Sequence, residues 1–309
     1  MRILVTGVTG YVGGLVAERL SVDRHDVRGL ARRPELASAQ IQVMAGDAVT
    51  GEGLARALRG VEVAYYLLHS MERGPDGGDA PMSFAERERL AAQNFADAAQ
   101  VARVRRIVYL GGLLPVQRPL SAHLASRLAV ERILLEAVPD SVALRASIVI
   151  GARSRPFRFL VRLIERLPVL ALPAWRVYRT APIDERDVVA LLTAAATSDR
   201  VGGESLDVGG PEVVTYGDLI DRIADAMLVA RPALELSRLT LTPIASRIAS
   251  VISGERHELV GPLMESLTAD LLAADDRAPR LLGVGLHTLD AAIEHALAVW
   301  ERSERLAAR

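Results

Sequence analysis

Cysteine and lysine are both absent from this chain of 309 residues. Without cysteine there is no disulfide, no thiolate nucleophile and no thiolate metal site. Because all 37 basic residues are arginine, mechanisms that need a titrating ammonium group, such as Schiff-base catalysis, are excluded as well. These two absences narrow the available chemistry before any motif is considered.

The chain also has no excess of basic charge. Its formal net charge is −1, and the charged residues are spread along its length. A protein that holds nucleic acid normally carries a basic stripe or cluster, so no nucleic-acid partner is predicted.

Long hydrophobic runs are missing too. The apolar stretch LPVLALPAW at positions 167–175 is interrupted by proline and is shorter than the roughly 20 residues that a membrane-spanning helix needs. The start, MRILVTGVTG, lacks the basic region and the long apolar segment of a secretion signal. We therefore predict a cytoplasmic protein with no transmembrane segment.

What is present is an alternation of short β-rich runs with longer helical patterns, which is typical of βαβ units and a parallel sheet. We predict an α/β fold with a Rossmann doubly wound parallel sheet in residues 1–150, to which residues 181–210 return. Residues 151–180 and 211–309 are predicted to form a smaller, mainly helical substrate lobe. Predicted strands cover 1–7, 26–32, 41–47, 61–69, 105–112, 141–151 and 204–210, and predicted helices cover 11–20, 51–60, 84–102, 126–137, 181–197, 215–227 and 288–300.

Three glycines stand close to the start of the chain. Gly7, Gly10 and Gly13 form a G-x-x-G-x-x-G pattern directly between the first strand and the first helix. Glycines let the backbone turn tightly and approach a pyrophosphate, which then lies on the N–H groups of the helix terminus. This context favours a dinucleotide site over a plain tight turn. Its predicted members are Gly7, Thr9, Gly10, Tyr11, Val12 and Gly13.

The residues after the second strand bear on the choice of cofactor. An acid there would bind a free ribose 2′-OH, but the sequence GLARRPE places Arg32 and Arg33 at this point. A guanidinium matches the oxygens of a 2′-phosphate, so NADP(H) is preferred, with NAD(H) as the alternative. The competing interpretation is that both arginines are ordinary solvated loop residues.

The ends of later strands extend the predicted cofactor site. Asp47 lies where the adenine is expected, and the alternative for its carboxylate is a helix N-cap. The fourth strand ends at the crevice where the nicotinamide ribose is expected. The further predicted members are Asp47, Ala48, Leu67, Leu68, His69 and Gly111.

Several motifs in order resemble one family. They are VTGVTGYVGG, the Gly-Asp pair at 46–47, VEVAYYLLHSM, RIVYLGGL, LRASIVIG and LDVGGPEVVTY. Across residues 1 to about 220 the chain resembles the atypical branch of the short-chain dehydrogenase/reductase superfamily, the NmrA-like and NAD(P)H-binding proteins. The C-terminal third is only loosely similar, to the variable substrate lobe of extended members.

The resemblance implies a catalytic position for a Ser, a Tyr and a Lys, and this chain has none of the three there. His123 falls at the Tyr position, Arg127 at the Lys position, and Gly112 or Leu113 at the Ser position. Histidine exchanges protons near neutral pH and can replace a phenol, whereas arginine can hold ribose hydroxyls but does not titrate. The alternative is that His123 only packs or caps in a site without turnover.

Two functions follow from this site. The first is an NADP(H)-dependent oxidoreductase that acts on a hydrophobic small-molecule carbonyl, enone or quinone, with His123, Arg127 and His69 as catalytic candidates. The second is a non-catalytic NAD(P)H sensor or a regulatory or assembly protein of the NmrA-like type. Monomer and homodimer are both compatible with the sequence, and no metal site is predicted because no ligand spacing is found.

Four further interpretations concern single segments. Tyr66, His69 and Ser70 offer a second set of proton donors, with Tyr66 assigned to the core by strand alternation.

The charge run at 86–89 is assigned to a solvated helix face. Asn94 is expected to bond to backbone. The aromatic residues Phe157, Phe159, Trp175 and Tyr178 either line a pocket or fill a core.

Overall fold

The structure is a computed structural model. It describes residues 1–37, 41–68, 82–115, 120–166, 170–172, 174–230, 233–235, 269–304 and 306. His69 and Ser70, which the sequence nominated as site residues, lie outside the described residues.

A sheet of seven parallel strands forms the centre of the fold, in the order β11-β6-β5-β4-β1-β2-β3. Its strands are β1 (Arg2–Thr6), β2 (Asp26–Ala31), β3 (Gln42–Ala45), β4 (Val63–Tyr66), β5 (Arg106–Gly112), β6 (Val142–Ala146) and β11 (Glu204–Val208). The short strands β7 (Val149–Ile150), β8 (Leu170–Leu172), β9 (Arg179–Thr180), β10 (Ile183–Asp184), β12 (Val214–Thr215) and β13 (Ala233–Glu235) pair outside it as β7–β10, β8–β13 and β9–β12. The predicted α/β class and parallel sheet are confirmed.

Helices cover both faces of the sheet. The described helices are α1 (Tyr11–Val22), α2 (Leu54–Ala57), α3 (Phe84–Val101), α4 (Ala122–Ala137), α5 (Arg155–Arg166), α6 (Glu185–Thr197), α7 (Tyr216–Ala226), α8 (Arg277–Leu282) and α9 (Leu289–Ser303). Because side chains alternate along a strand, Ile3 and Val5 of β1 pack with α1, α6 and α8, while Leu4 packs with α2, α3 and α4. Burial on both faces explains the continuous apolar runs of the central strands. Among the described residues, no helix is long and apolar enough to pass through a lipid bilayer.

A further hydrophobic core lies among α5, α7 and α9. Phe157, Phe159 and Trp175 are buried in it, and Tyr178 packs against it. Trp300 of α9 is fully buried there, with the guanidinium of Arg158 4.2 Å from its ring centre. Core packing, and not pocket lining, is therefore the role of the three buried aromatic residues.

The sequence predictions missed α5 and joined β6 to β7. The helix α5 was not predicted because Pro156 interrupts its pattern, but this proline occupies the first turn, where its missing N–H costs no hydrogen bond. Residues 141–151 do not form one strand either. β6 ends at Ala146, the Ser147 N–H donates to the Val208 carbonyl at 2.9 Å, and β7 then pairs with β10.

A buried arginine holds the first residues of β5 against the neighbouring segments. The guanidinium of Arg106 donates to both carboxylate oxygens of Asp140, at 2.8 and 3.0 Å. It also donates to the carbonyls of Ala195 and Ser198 at 2.7 Å and of Val201 at 2.8 Å. These bonds tie β5 to the end of α6 and to the chain that follows it.

Candidate cofactor and active site

The glycine-rich loop folds tightly between β1 and α1. Gly7 has a φ of +67°, which only glycine adopts without strain, and a side chain there would overlap the carbonyl of Leu67. A side chain at Gly13 would overlap the carbonyl of Gly7. The N–H of Gly10 closes the turn on the Gly7 carbonyl at 2.8 Å. The loop therefore lies against the end of β4 and requires glycine at positions 7 and 13.

The N-terminus of α1 is open to an anion. Gly10 is the N-cap, and among the described residues no side chain caps this helix and no acid stands in its first turn. The first N–H groups of a helix have no partner within the helix, and here they belong to Tyr11, Val12 and Gly13. Thr9 and Gly10 are exposed beside them. Open N–H groups at the positive end of a helix dipole fit the pyrophosphate of a dinucleotide.

The crevice beside this loop lies where the strand order reverses. β1 has β2 on one side and β4 on the other, so connections leave the sheet in opposite directions at this point. The Thr6 hydroxyl joins the two strands, since it donates to the Tyr65 carbonyl at 2.9 Å and accepts from the Leu67 N–H at 3.1 Å. Leu67 and Leu68 are half-buried at this edge.

Two arginines stand at the outer rim of the crevice. Arg32 and Arg33 follow β2 directly and are exposed. Among the described residues, no carboxylate is within 4.0 Å of either guanidinium. Two adjacent cations at the end of the second strand therefore face solvent.

Asp47 closes a turn. Its Oδ1 accepts the Val49 N–H at 2.7 Å, whereas the N-cap of α2 is Gly53, so the helix-cap alternative for Asp47 is wrong. The Asn94 side chain donates to the carbonyls of Ala48 and Val49 at 3.0 and 2.8 Å. The expectation that Asn94 bonds to backbone is confirmed.

The helix α4 carries His123 and Arg127. Ser121 begins it, because its hydroxyl accepts the Leu124 N–H at 3.2 Å. His123 is half-buried, and its ring centre lies 6.2 Å from that of Phe84. A spacing of four residues places His123 and Arg127 on the same face of the helix.

Arg127 spans two strand ends. Its Nη1 donates to the Leu68 carbonyl at 3.3 Å, and its Nη2 donates to the Leu110 carbonyl. The guanidinium lies 4.9 Å from the centre of the Tyr109 ring. The cation at the expected lysine position thus bridges the ends of β4 and β5, next to the half-buried Gly111.

The expected serine position holds no hydroxyl. Gly112 ends β5, and Leu113 after it is 2% exposed, with its N–H donating to the Ala146 carbonyl at 3.2 Å.

Tyr66 is also buried and forms an edge contact with Phe95, so its assignment to the core is confirmed.

A buried carboxylate lies below α4, and the sequence interpretation placed it wrongly. Glu88, assigned to a solvated face, is 3% exposed, and its Oε2 accepts the Ser126 hydroxyl at 3.2 Å. Burial, and then the charge of Glu88, raise the pKa of Tyr66. A spacing signal was available, because Ala91, Ala92 and Phe95 form the buried stripe of α3 and Glu88 lies three, four and seven residues before them.

Another buried acid, Glu131, joins α4 to the sheet. Its carboxylate accepts Arg145 Nη2 at 2.6 Å and the Ser205 hydroxyl at 2.7 Å. The hydrogen bond that Arg145 donates to Glu131 is the first cause of a raised pKa of Arg145. Glu131 is therefore a structural link from α4 to β6 and β11.

Comparison with known proteins agrees with this geometry. A family model described as NAD(P)H-binding matches residues 7–137. A protein of Streptomyces griseus named (4-alkanoyl-5-oxo-2,5-dihydrofuran-3-yl)methyl phosphate reductase is 34% identical over an alignment of 221 residues, and the match covers 69% of this chain and 69% of the relative.

Solved structures share the fold over almost the whole chain. A short-chain dehydrogenase/reductase superfamily protein from Agrobacterium tumefaciens, solved with bound NAD, has a TM-score of 0.70 and 20% identity, and the match covers 98% of both chains. The UDP-glucose 4-epimerase of Thermotoga maritima, solved with UDP-glucose, has a TM-score of 0.75 and 14% identity and covers 98% of this chain and 99% of that chain. At these identities the likeness shows the fold alone.

The fold and the glycine-rich loop define an NAD(P)H-binding, oxidoreductase-like Rossmann protein. The chain belongs to the NAD(P)H-binding protein family, and the Streptomyces griseus reductase is a relative of it.

Proposed function

We propose that this protein is an NADP(H)-dependent reductase of hydrophobic small molecules in which a carbon–carbon double bond is conjugated with a carbonyl group. The observation that carries the proposal is the arrangement of charge and proton donors. An open dinucleotide loop lies at the same crevice as a fixed, permanently charged Arg127, while the expected Tyr and Lys are replaced. Carbonyl compounds and quinones are the other members of the proposed substrate class.

The missing phenol favours a substrate that needs little acid assistance. Reduction of an isolated carbonyl develops charge on one oxygen, which must be protonated or strongly stabilised in the transition state. Hydride addition to a conjugated double bond forms a carbon–hydrogen bond at one alkene carbon and leaves an enolate, whose charge is delocalised. The enolate takes its proton afterwards from His123 or from water. A site with histidine in place of tyrosine is adequate for this reaction.

The Streptomyces griseus relative supports this choice. The name of its substrate describes a dihydrofuran ring whose double bond is flanked by a ring carbonyl and an alkanoyl group. We extend that chemistry, an electron-poor alkene in a compact ring, to the present chain. Residues 151–180 and 211–309 are proposed to enclose the substrate.

The described residues fit a dinucleotide, which supplies the hydride when bound. The open N–H groups of α1 would hold its pyrophosphate, and Arg32 and Arg33 would hold a 2′-phosphate. The rest of the proposed contact surface consists of Asp47 and Ala48 at the adenine and Leu67, Leu68, Gly111 and Arg127 at the nicotinamide ribose. The charge of Arg127 would also favour the developing enolate.

Hydride tracing tests the proposal. The purified protein is incubated with NADPH deuterated at the transferable position and with an alkanoyl butenolide phosphate or an extract of its own cells. The expected result is one deuterium on the former alkene carbon of a product, and no product with the Gly13→Ala variant, whose folding is checked by circular dichroism. Unlabelled products, together with demonstrated NADPH binding, would contradict the reductase.

A second function is favoured specifically by the buried Leu113 at the serine position, because a site without any hydroxyl there is suited to binding alone. In that case the protein is an NmrA-like NAD(P)H sensor, and its partner protein binds with different affinity to the apo, NADP+ and NADPH forms. Equal partner affinity in all three forms would eliminate the sensor.

A further inference from the structure

The side chain of Tyr11 leaves the glycine-rich loop and ends on another helix. Tyr11 is the first residue of α1, and its main-chain N–H is one of the open donors at the dinucleotide site. Its hydroxyl donates a hydrogen bond to Oε2 of Glu185, the first residue of α6. One residue thus contacts the cofactor site with its backbone and α6 with its side chain.

Glu185 continues the connection to the C-terminal helix. It is 8% exposed, and its Oε1 lies 3.5 Å from Nε2 of His295 on α9. The helix α9 in turn packs with α5 and α7, since Ile293 and Trp300 belong to the core that these helices share. A single buried carboxylate therefore contacts both the dinucleotide loop and the helix that anchors the second core.

The space around this contact is fully occupied. A side chain at Gly151, directly after β7, would overlap both the Tyr11 hydroxyl and the Glu185 carboxylate. Burial, followed by the charge of Glu185, raises the pKa of Tyr11, so the phenol remains a donor at neutral pH. The tyrosine and the glutamate consequently hold one relative position.

We infer that Tyr11 and Glu185 are positioning residues that couple occupation of the dinucleotide site to the placement of α9. A dinucleotide on the first N–H groups of α1 holds the backbone from which the Tyr11 side chain extends, and the hydroxyl transmits that position to Glu185 and His295. Coupling of this kind is reciprocal, so the Tyr11–Glu185 contact strengthens dinucleotide binding by the same factor by which the dinucleotide strengthens the contact. The inference rests on the dinucleotide binding in the proposed function.

The test compares two tyrosine hydroxyls that both bond to α6. Tyr11→Phe removes the hydroxyl at Glu185 and keeps the ring. Tyr65→Phe is the matched control, because the buried Tyr65 hydroxyl donates to the carbonyl of Leu192 at 3.0 Å, seven residues after Glu185 in α6. For each protein, the dissociation constant for NADPH is measured by calorimetry, and amide hydrogen exchange of residues 289–303 is measured with and without NADPH.

In the wild type, NADPH is expected to slow exchange in α9. In Tyr11→Phe we expect a dissociation constant raised about fivefold or more and loss of this slowing, whereas Tyr65→Phe retains both properties. Wild-type affinity together with wild-type slowing in Tyr11→Phe would overturn the inference. Failure of the wild-type protein to bind NADPH would instead overturn the proposed function, so the two failures are distinguishable.

A double variant checks that both residues act through the same contact. Glu185→Gln also weakens the connection, because the carboxylate charge that His295 faces is lost. If the coupling passes through the Tyr11–Glu185 contact, the variant with both changes has the affinity of the weaker single variant. Fully additive losses of affinity would show independent effects and contradict the inference.

Discussion

The guanidinium of Arg127 lies 4.9 Å from the centre of the Tyr109 ring, and the Tyr109 hydroxyl donates a hydrogen bond at 3.2 Å to the carbonyl of Arg127. Each residue therefore restrains the other, and the pair joins α4 to β5. Burial raises the pKa of Tyr109, and the positive charge of Arg127 acts in the opposite direction. The cation at the candidate active site is held by the backbone on one side and by an aromatic face on the other.

Replacing Arg127 with lysine, the residue that the family usually has at this position, is expected to lower the stability of the fold. In Arg127→Lys, a compact ammonium group cannot reproduce the planar fork that reaches both Leu68 and Leu110. We expect the free energy of unfolding to fall by about 1 to 2 kcal/mol, measured by urea denaturation. An unchanged midpoint would mean that the two carbonyl contacts contribute nothing to stability.

The buried Arg106 should be much more important for stability than its exposed neighbour. Arg106 and Arg105 both pair with Asp140, but their side chains are 2% and 46% exposed. Arg106→Met leaves several buried carbonyls without a donor, and we expect a loss of about 3 to 5 kcal/mol. Arg105→Met, the matched variant, should cost no more than about 1 kcal/mol. Comparable losses in the two variants, measured by denaturant unfolding, would disprove this ranking.

An acid-dependent contribution is expected from Glu212. Its carboxylate accepts the Leu289 N–H at 2.9 Å and pairs with Arg222, and these two contacts lower the pKa of Glu212. A carboxyl group whose pKa is lower in the folded state stabilises the protein at pH values above its unfolded-state pKa. This stabilisation is lost as the pH falls through the folded-state pKa. Glu212→Gln should therefore lower Tm by about 2 °C at neutral pH.

The Tm difference between the Glu212→Gln protein and the wild type should shrink as the pH falls through the lowered pKa of Glu212, because both proteins then carry a neutral side chain at this position. Glu18→Gln, at an exposed position on α1, serves as the control. A difference that stays constant over this range would show that the charge of Glu212 is not responsible.

The preference for NADP(H) can be tested at the rim. In the variant with Arg32→Ser and Arg33→Ser, the dissociation constant for NADPH should rise about tenfold or more, because charge-assisted bonds to the 2′-phosphate are lost. Binding of NADH, which has no such phosphate, should change less than about twofold. Arg24→Ser controls for general charge effects, since Arg24 precedes β2 at its opposite end. Equal losses for both dinucleotides would contradict the assignment.

The parts of the fold that the sequence predicts best are those where local and long-range preferences agree. The helix α1 and the strand β1 were expected within two residues of their bounds, because an apolar run, a glycine turn and a helical pattern follow one another. The helix α5 was not predicted because Pro156 lies within it, and a proline ends most helices although it is tolerated in the first turn. The break between β6 and β7 depends on pairing with β10, which a strand pattern does not reveal.

The sequence indicated the kind of site, a glycine-rich dinucleotide loop, but it did not indicate which side chains contact one another around that loop. The glycine spacing indicated the loop, while the identity of its neighbours required the fold. Glu88 was assigned to solvent because charged residues surround it in sequence, yet the packing of α3 on α4 buries it. The contact between Tyr11 and Glu185 joins residues that are 174 positions apart, and no local sequence pattern predicts such a pair.

The contact among Tyr11, Gly151 and Glu185 also constrains how this chain can change. The three residues come from separate stretches of the sequence but share one small volume. A larger residue at position 151 is acceptable only with a shorter one at position 11 or 185, so natural variation at the three positions is expected to be concerted. Anyone who transplants this glycine-rich loop into another scaffold would need to move all three residues together.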